Sequence, residues 1–392
     1  MPSGNRDLPS FPFAHGPYGT ATLAYDLFRK SCPIRKIQLP SGWEAWLVTS
    51  YAGVRAVHTH IKYSRSEAVR VGATLGKGTG IELEPSVLQN SDGKQHARLR
   101  KIFGALFDVH RNTEWKGIIE NEVDSLLDRL KRANVDFDLK KNLFDPLATN
   151  CAERLFGFPR ELEAFPLELF FDEGMRTIGV RRMADLVENS TKLPDDAFMK
   201  GLLFDHKANR LSESELIMNL VILATATFGA VRAAFLGGMF ALLRHAEQWR
   251  ACARDRSLVP AAVAEMLRCF PNGDGQFLRL AEEDIELYGV KISRGEAVLA
   301  PVSAANVDPV VFVDPRSFNI FRRDSDKHIA FGVGRHRCLG ANLAELWMRT
   351  TLNAIVERFP NLRLAVDPKE VNFGTHPLIY KLEELRVRDD KT

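Results

Sequence analysis

The stretch Phe331-Gly332-Val333-Gly334-Arg335-His336-Arg337-Cys338-Leu339-Gly340-Ala341-Asn342-Leu343-Ala344 decides how the chain is read. It frames one cysteine with glycines on both sides. Gly332 and Gly334 permit positive φ and, having no side chains, let a flat partner approach the backbone. From Leu339 the spacing Leu-x-x-x-Leu-Ala-x-Leu predicts a helix, so Cys338 falls at or just before a helix N-terminus. The macrodipole and free N–H groups there favour a thiolate. A thiolate in a hollow of glycine and apolar positions suits a soft transition metal, and a single cysteine points to heme rather than zinc or an iron–sulfur cluster.

A lone cysteine is more often a small core hydrophobe than a ligand; the framing reverses that. Phe-Gly-x-Gly-x-His-x-Cys-x-Gly-x-x-Leu-Ala resembles the heme-ligand signature of the cytochrome P-450 family. That resemblance implies a mainly α fold with small β-sheets, a triangular prism with heme b (iron protoporphyrin IX) between a long central helix and the cysteine loop. It implies Cys338 as the iron ligand, with Phe331, Gly332 and Gly340 beside it. One such domain is expected over 1–392, its small β-rich lobe mainly from about 15–60 and 276–300 and its helical lobe from the rest. The implied activity is that of a monooxygenase or oxidase supplied with electrons by ferredoxin and ferredoxin reductase. Arg98, Lys101, Arg335 and Arg337 are the expected docking cations.

Composition is compatible with this. The 392 residues are 45% hydrophobic and 26% charged, ordinary for a soluble protein, and a net charge of +3 is too small to suggest nucleic-acid binding. Cys32, Cys151, Cys252, Cys269 and Cys338 are scattered, odd in number and without a CxxC pair, which predicts a reducing compartment without disulfides. Met1 to His15 contains no apolar run of the kind that leader peptides carry. The most apolar stretch, Leu216 to Val231, is broken by Asn219, Thr225 and Thr227, so no membrane span is predicted. A cytoplasmic monomer acting on a small molecule is the expectation.

Residues 34–50 form short β-branched and aromatic runs split by Pro40-Ser41-Gly42, a hairpin signal. Tyr51 to His60 reads as helix, and 66–91 as a long loop with room for one helical turn. Helix resumes at Asp92, placing His96 and Arg100 on one face. Asp145-Pro146-Leu147-Ala148-Thr149 starts another helix. The longest predicted helix runs from a Ser212/Glu215 capping box to about His245, roughly 50 Å at 1.5 Å per residue, as a buried central rod. Beyond 276 the pattern turns to strand, with turns at Tyr288-Gly289 and Arg294-Gly295.

Glu265-Met266-Leu267-Arg268 spaces a carboxylate and a guanidinium for an ion pair. It stands about 70 residues before Cys338, where the family's Glu-x-x-Arg motif lies. Either Arg316 or Arg322 completes that network; the sequence does not choose. Heme propionates, once buried, require cationic or hydrogen-bonding partners, and the resemblance assigns His96, Arg100, Arg279 and His336 to them.

The central helix departs from the family. Where an acid and an alcohol usually deliver protons, Ala226-Thr227-Phe228-Gly229-Ala230-Val231 supplies Gly229 and Ala230, neither of which can act as acid or donor. Three routes remain open: protons from substrate groups or water, peroxide as oxidant, or a heme protein without turnover. The first is preferred. Short segments resemble the branch that oxidises aromatic cyclodipeptides, including a mycobacterial cyclodityrosine-coupling enzyme. They are Pro33-Ile34-Arg35-Lys36, Glu44-Ala45-Trp46-Leu47-Val48, Asp145 to Thr149, Pro85 through Asn90 to Lys101, Asp274-Gly275 and Arg279-Leu280-Ala281. The expected pocket comprises Asn90, Ala226, Phe228, Gly229, Ala230, Phe277 and Ile379. Ile379 stands where that branch has an arginine, which suits a less polar side chain such as indole. Coupling or hydroxylation of an aromatic cyclodipeptide is the expected reaction; a polyketide or terpenoid hydroxylase is the alternative.

Overall fold

The computed structural model describes residues 8–75, 84–133, 136–158, 173–189, 198–271, 278–374 and 382–390. Its axis is a helical rod. Ser212 opens it: the Ser212 hydroxyl accepts from the Glu215 N–H and the Glu215 carboxylate from the Ser212 N–H, the reciprocal cap that the sequence predicts. Glu213–Thr225 is α-helical, Ala226–Ala230 is a π-helical turn and Val231–Arg244 is α-helical again. A single uninterrupted α-helix was the expectation. Here the Thr225 and Thr227 hydroxyls bond back to the Val221 and Leu223 carbonyls at 2.9 and 2.8 Å, side-chain competition with the helix ladder that favours a local change of pitch.

The rod is buried on nearly every side. The Phe235 ring centre lies 4.8 Å from that of Phe144 and 5.5 Å from that of Trp347, tying the rod to the Lys140–Phe144 turn and to the Ala341–Arg358 helix. Gly237 and Gly238 bring it against Val259–Cys269: a Cβ on Gly237 would lie 2.6 Å from the Phe270 ring. Ala341–Arg358 in turn packs along Asn112–Ala133. Cys338 is thereby anchored to the most heavily packed part of the molecule.

The β-portion is a five-stranded sheet, ordered Ile34–Gln38, Glu44–Val48, Ala297–Leu299, Arg279–Ala281, Tyr63–Ser64. The hairpin register pairs Ile34 with Val48 and Gln38 with Glu44, and Gly42 turns it at φ 91°. Two smaller sheets join Phe137–Asp138, Arg386–Asp389 and Leu362–Leu364, and Ile285–Leu287 with Val290–Ile292. Among the described residues of 66–91, the expected helical turn lies at the start of the span. Arg65–Arg70 is helical, capped by Ser64, whose hydroxyl accepts from the Glu67 N–H. Ser64-x-x-Glu67 is itself a capping signature, too short a helix to show periodicity.

Gly237→Val should overpack the contact with Phe270 and lower unfolding stability by about 1–3 kcal/mol, measured by chemical denaturation.

Candidate active site

The cysteine loop is shaped by its glycines. Gly332 and Gly334 take φ 67° and 75°, and a Cβ on Gly334 would lie 2.7 Å from the His58 carbonyl oxygen, so this turn can pass His58 only as glycine. The Cys338 N–H closes the turn on the Phe331 carbonyl at 2.8 Å, and Gly340 is the N-cap of Ala341–Arg358. Cys338 faces a cavity and is open to it, although protein surrounds it elsewhere. That burial pushes its thiol above the ordinary value, against the Gly340 N–H, Arg337 and Arg100, which favour the anion. The backbone N–H and the two arginines at this helix end thus favour the thiolate, as the sequence predicts, while desolvation opposes them.

The cavity holds about 420 Å³ and is mostly apolar. Phe331, Gly332, Cys338, Gly340 and Ala344 line it from the cysteine loop, Ala226, Thr227, Ala230 and Val231 from the rod, and Val87, Leu88 and Gln89 from the segment after 84. Gly229 is buried and is not among the lining residues. Phe228 is described only as part of the π turn. Phe277, Ile379, Asp274 and Gly275 lie outside the described residues. Asn90 is buried beside the cavity, with its amide used internally: it accepts from Arg65 at 2.7 Å and donates to the Glu84 carbonyl at 2.9 Å.

All four predicted propionate partners reach this cavity. Arg279 is buried with no ion-pair partner among the described residues, and burial, then the nearby Arg65, pushes its guanidinium down to about 9. The Nε2 of His96 is buried without a hydrogen-bond partner. Arg100 spends one donor on the Arg337 carbonyl at 2.9 Å. His336 stacks obliquely on His96 with ring centres 4.5 Å apart, but its Nε2 is turned to Asp92 at 3.1 Å. An orphaned imidazole N–H position and an uncompensated guanidinium beside an accessible cysteine fit a flat, dianionic, metal-bearing group such as heme.

Asp92, His58 and Arg65 escape sequence reading. Asp92 occupies the N-cap position of Gly93–Gly104 without capping it. Its carboxylate instead accepts the Arg65 and Ser66 N–H groups at 2.7 and 2.9 Å, capping the preceding helix, and holds His336. Burial alone would raise the Asp92 carboxyl, but hydrogen bonds from His336 and Ser66 hold it well below the carboxylate range. His58 bonds the Ala300 carbonyl at 3.0 Å, and burial, then Arg279, pushes it down to about 3. Asp92 stands four residues before His96, a spacing that could have drawn notice; nothing local marks His58.

The ion-pair network is as predicted and is now resolved. Glu265 and Arg268 are fully buried at 2.7 Å, and Arg322 completes the set at 2.9 Å from Glu265. Arg268 also donates to the Asn306 and Pro315 carbonyls at 2.9 and 2.7 Å. Arg316 is engaged elsewhere, on Asp26 at 2.8 Å. Of the expected docking cations, Arg98 is exposed but paired with Glu215, Arg335 is partly buried and paired with Asp92, and Lys101 and Arg337 are exposed. No described helix is long and apolar enough to cross a membrane.

With this geometry in hand, comparison with known proteins is informative. A sequence profile described as cytochrome P-450 matches residues 245–381. Nocardicin C N-oxygenase of Nocardia uniformis subsp. tsuyamanensis is 31% identical over 97% of this chain and 98% of its own. The cytochrome P-450 monooxygenase PikC of Streptomyces venezuelae is 31% identical over 96% of this chain and 92% of its own. Among solved structures, HinD with NMFT and NO superposes with a TM-score of 0.89 at 28% identity, covering 99% of this chain and all of that one.

Glu265→Gln should leave Arg268 and Arg322 under-compensated in the interior and lower stability by about 3–5 kcal/mol, read by denaturant unfolding. Because the Asp92 carboxyl is depressed in the fold, its contribution is full above its unfolded value near pH 4 and fades as pH falls further. The stability gap between wild type and Asp92→Asn should therefore be constant at neutral pH and shrink below about pH 4.

Proposed function

This chain belongs to the cytochrome P-450 family, monooxygenases that bind heme b through a cysteine thiolate, and from that premise we propose that it oxidises a small, largely apolar natural product bearing its own N–H, O–H or carbonyl groups. The feature that supports the proposal is the rod beside the cavity, where the family resemblance sets Gly229 and Ala230 at the acid and alcohol positions. Cys338 would ligate the iron, with His96 Nε2, Arg100 and Arg279 donating to the propionates. Heme bound there supplies the oxidising chemistry, with electron density pushed onto iron by the thiolate.

The chain's own residues do the rest. The apolar lining excludes water and orients the substrate by shape. Ala230 offers no donor, and the Thr227 hydroxyl donates to the Leu223 carbonyl. The rod thus supplies no titratable group for proton delivery at these positions, and substrate groups or ordered water take that role. Hydrogen abstraction from a substrate N–H or O–H, followed by coupling, is favoured over efficient C–H hydroxylation. An aromatic cyclodipeptide has these features, and the sequence segments named above support that class; Nocardicin C N-oxygenase, by its name, also oxidises at nitrogen. Ferredoxin and its reductase would supply electrons.

Macrolide or terpenoid hydroxylation is the second reading, favoured by such relatives as mycinamicin VIII C21 methyl hydroxylase of Micromonospora griseorubida and pentalenic acid synthase of Streptomyces avermitilis, at 30% identity each. The deciding experiment is a panel of aromatic cyclodipeptides, macrolides and terpenoids screened for spectral displacement of water from iron, then turned over with ferredoxin and reductase. Cyclodipeptide binding with coupled products is expected. Hydroxylated cyclodipeptides alone would overturn coupling, binding by macrolides or terpenoids alone would support the second reading, and equal turnover with peroxide alone would remove the need for ferredoxin.

A further inference from the structure

We propose that Gln89 is a specificity-determining residue whose side-chain amide donates a hydrogen bond to a neutral carbonyl oxygen of the substrate. The inference rests on the cavity being the substrate site, not on the cyclodipeptide class. Gln89 lines the cavity, and its Nε2 is shielded from solvent with no acceptor among the described residues. A buried amide N–H without a partner is costly to the fold, and turning the amide about its last torsion brings the N–H to the cavity, where a ligand can supply the missing acceptor.

The neighbouring polar groups cannot take this role, because their hydrogen bonds are already used. Asn219, on the rod, accepts from the Leu88 N–H at 2.8 Å and donates to the Ser86 and Glu215 carbonyls at 2.9 and 2.7 Å. The Thr227 hydroxyl is bonded to Leu223, and the Asn90 amide to Arg65 and Glu84. These bonds also position Gln89. Asn219 pins the residue before it to the rod, and Arg65 pins the residue after it to the Arg65–Arg70 helix. The amide is thus presented on a backbone fixed on both sides, an arrangement that spares the ordering cost of binding. Val87, Leu88, Ile222 and Leu223 make the lining apolar. A carboxylate beside a single donor there would stay largely desolvated and unpaired, so a neutral carbonyl is the matching group.

Gln89→Met keeps the length of the side chain and removes the amide. The test compares wild type and variant, both heme-loaded, in two measurements. Without added ligand, Gln89→Met should raise the thermal midpoint by roughly 1–4 °C, since an unpaired buried donor is lost. In spectral titrations, the variant should bind cyclo(Trp-Trp), which bears two lactam carbonyls, about three- to tenfold more weakly, while 4-phenylimidazole, which has no carbonyl, binds unchanged. A lowered midpoint would mean that the amide has a partner within the fold and would overturn the proposal. So would equal weakening of both ligands, or of neither. If wild type binds no cyclodipeptide, the proposed substrate class fails, and the thermal comparison alone decides the role of Gln89.

Discussion

Arg279 is a buried cation with no ion-pair partner among the described residues. A guanidinium stripped of water needs an anion close by, and Arg279 reaches the same cavity as His96, Arg100 and the exposed face of Cys338. A fold that concentrates uncompensated donors around a soft ligand is built to receive a group carrying both metal and carboxylates. The structure depends on that requirement: remove the group, and Arg279 and the His96 Nε2 are liabilities rather than contacts.

What holds the site to its geometry is a second set of charges that the chain does compensate. Glu265 binds Arg268 and Arg322, and through carbonyls at 306, 315 and 317 these arginines fix the long segment that leads into the cysteine loop. Asp92 does the corresponding work on the other approach, capping Arg65–Arg70 while holding His336. The rod, packed through Gly237, Gly238 and Phe235, supplies the remaining wall. Rigid support of this kind is what lets a mostly apolar cavity choose among substrates by shape and a few directed donors.

Much of this was legible in the residues because some constraints are local. Only glycine can pass His58 at 334, so the loop announces itself; the Ser212 cap and the hairpin at Pro40-Ser41-Gly42 are equally local. What was not legible depends on distant partners. Arg322 and Arg316 are alike in sequence, and only the meeting with Glu265 or Asp26 separates them. Asn90 looked like a ligand contact, yet Arg65 and Glu84 occupy its amide, while the plain Gln89 beside it is unpaired. Arg100 favours the Cys338 thiolate from a distant helix, a tertiary contribution that the loop alone does not reveal. The π turn follows from two threonines bonding backwards, a choice that propensity alone does not dictate.

For a heme held in this cavity, Cys338 would be the iron's ligand from the protein. The reduced carbon-monoxide absorption spectrum of the purified protein tests it most directly, alongside Cys338→His. A red-shifted Soret band characteristic of thiolate ligation in the wild type, replaced by an imidazole-type band in the variant, is the predicted result. A wild-type band of the imidazole type, or a thiolate band that survives the substitution, would contradict it.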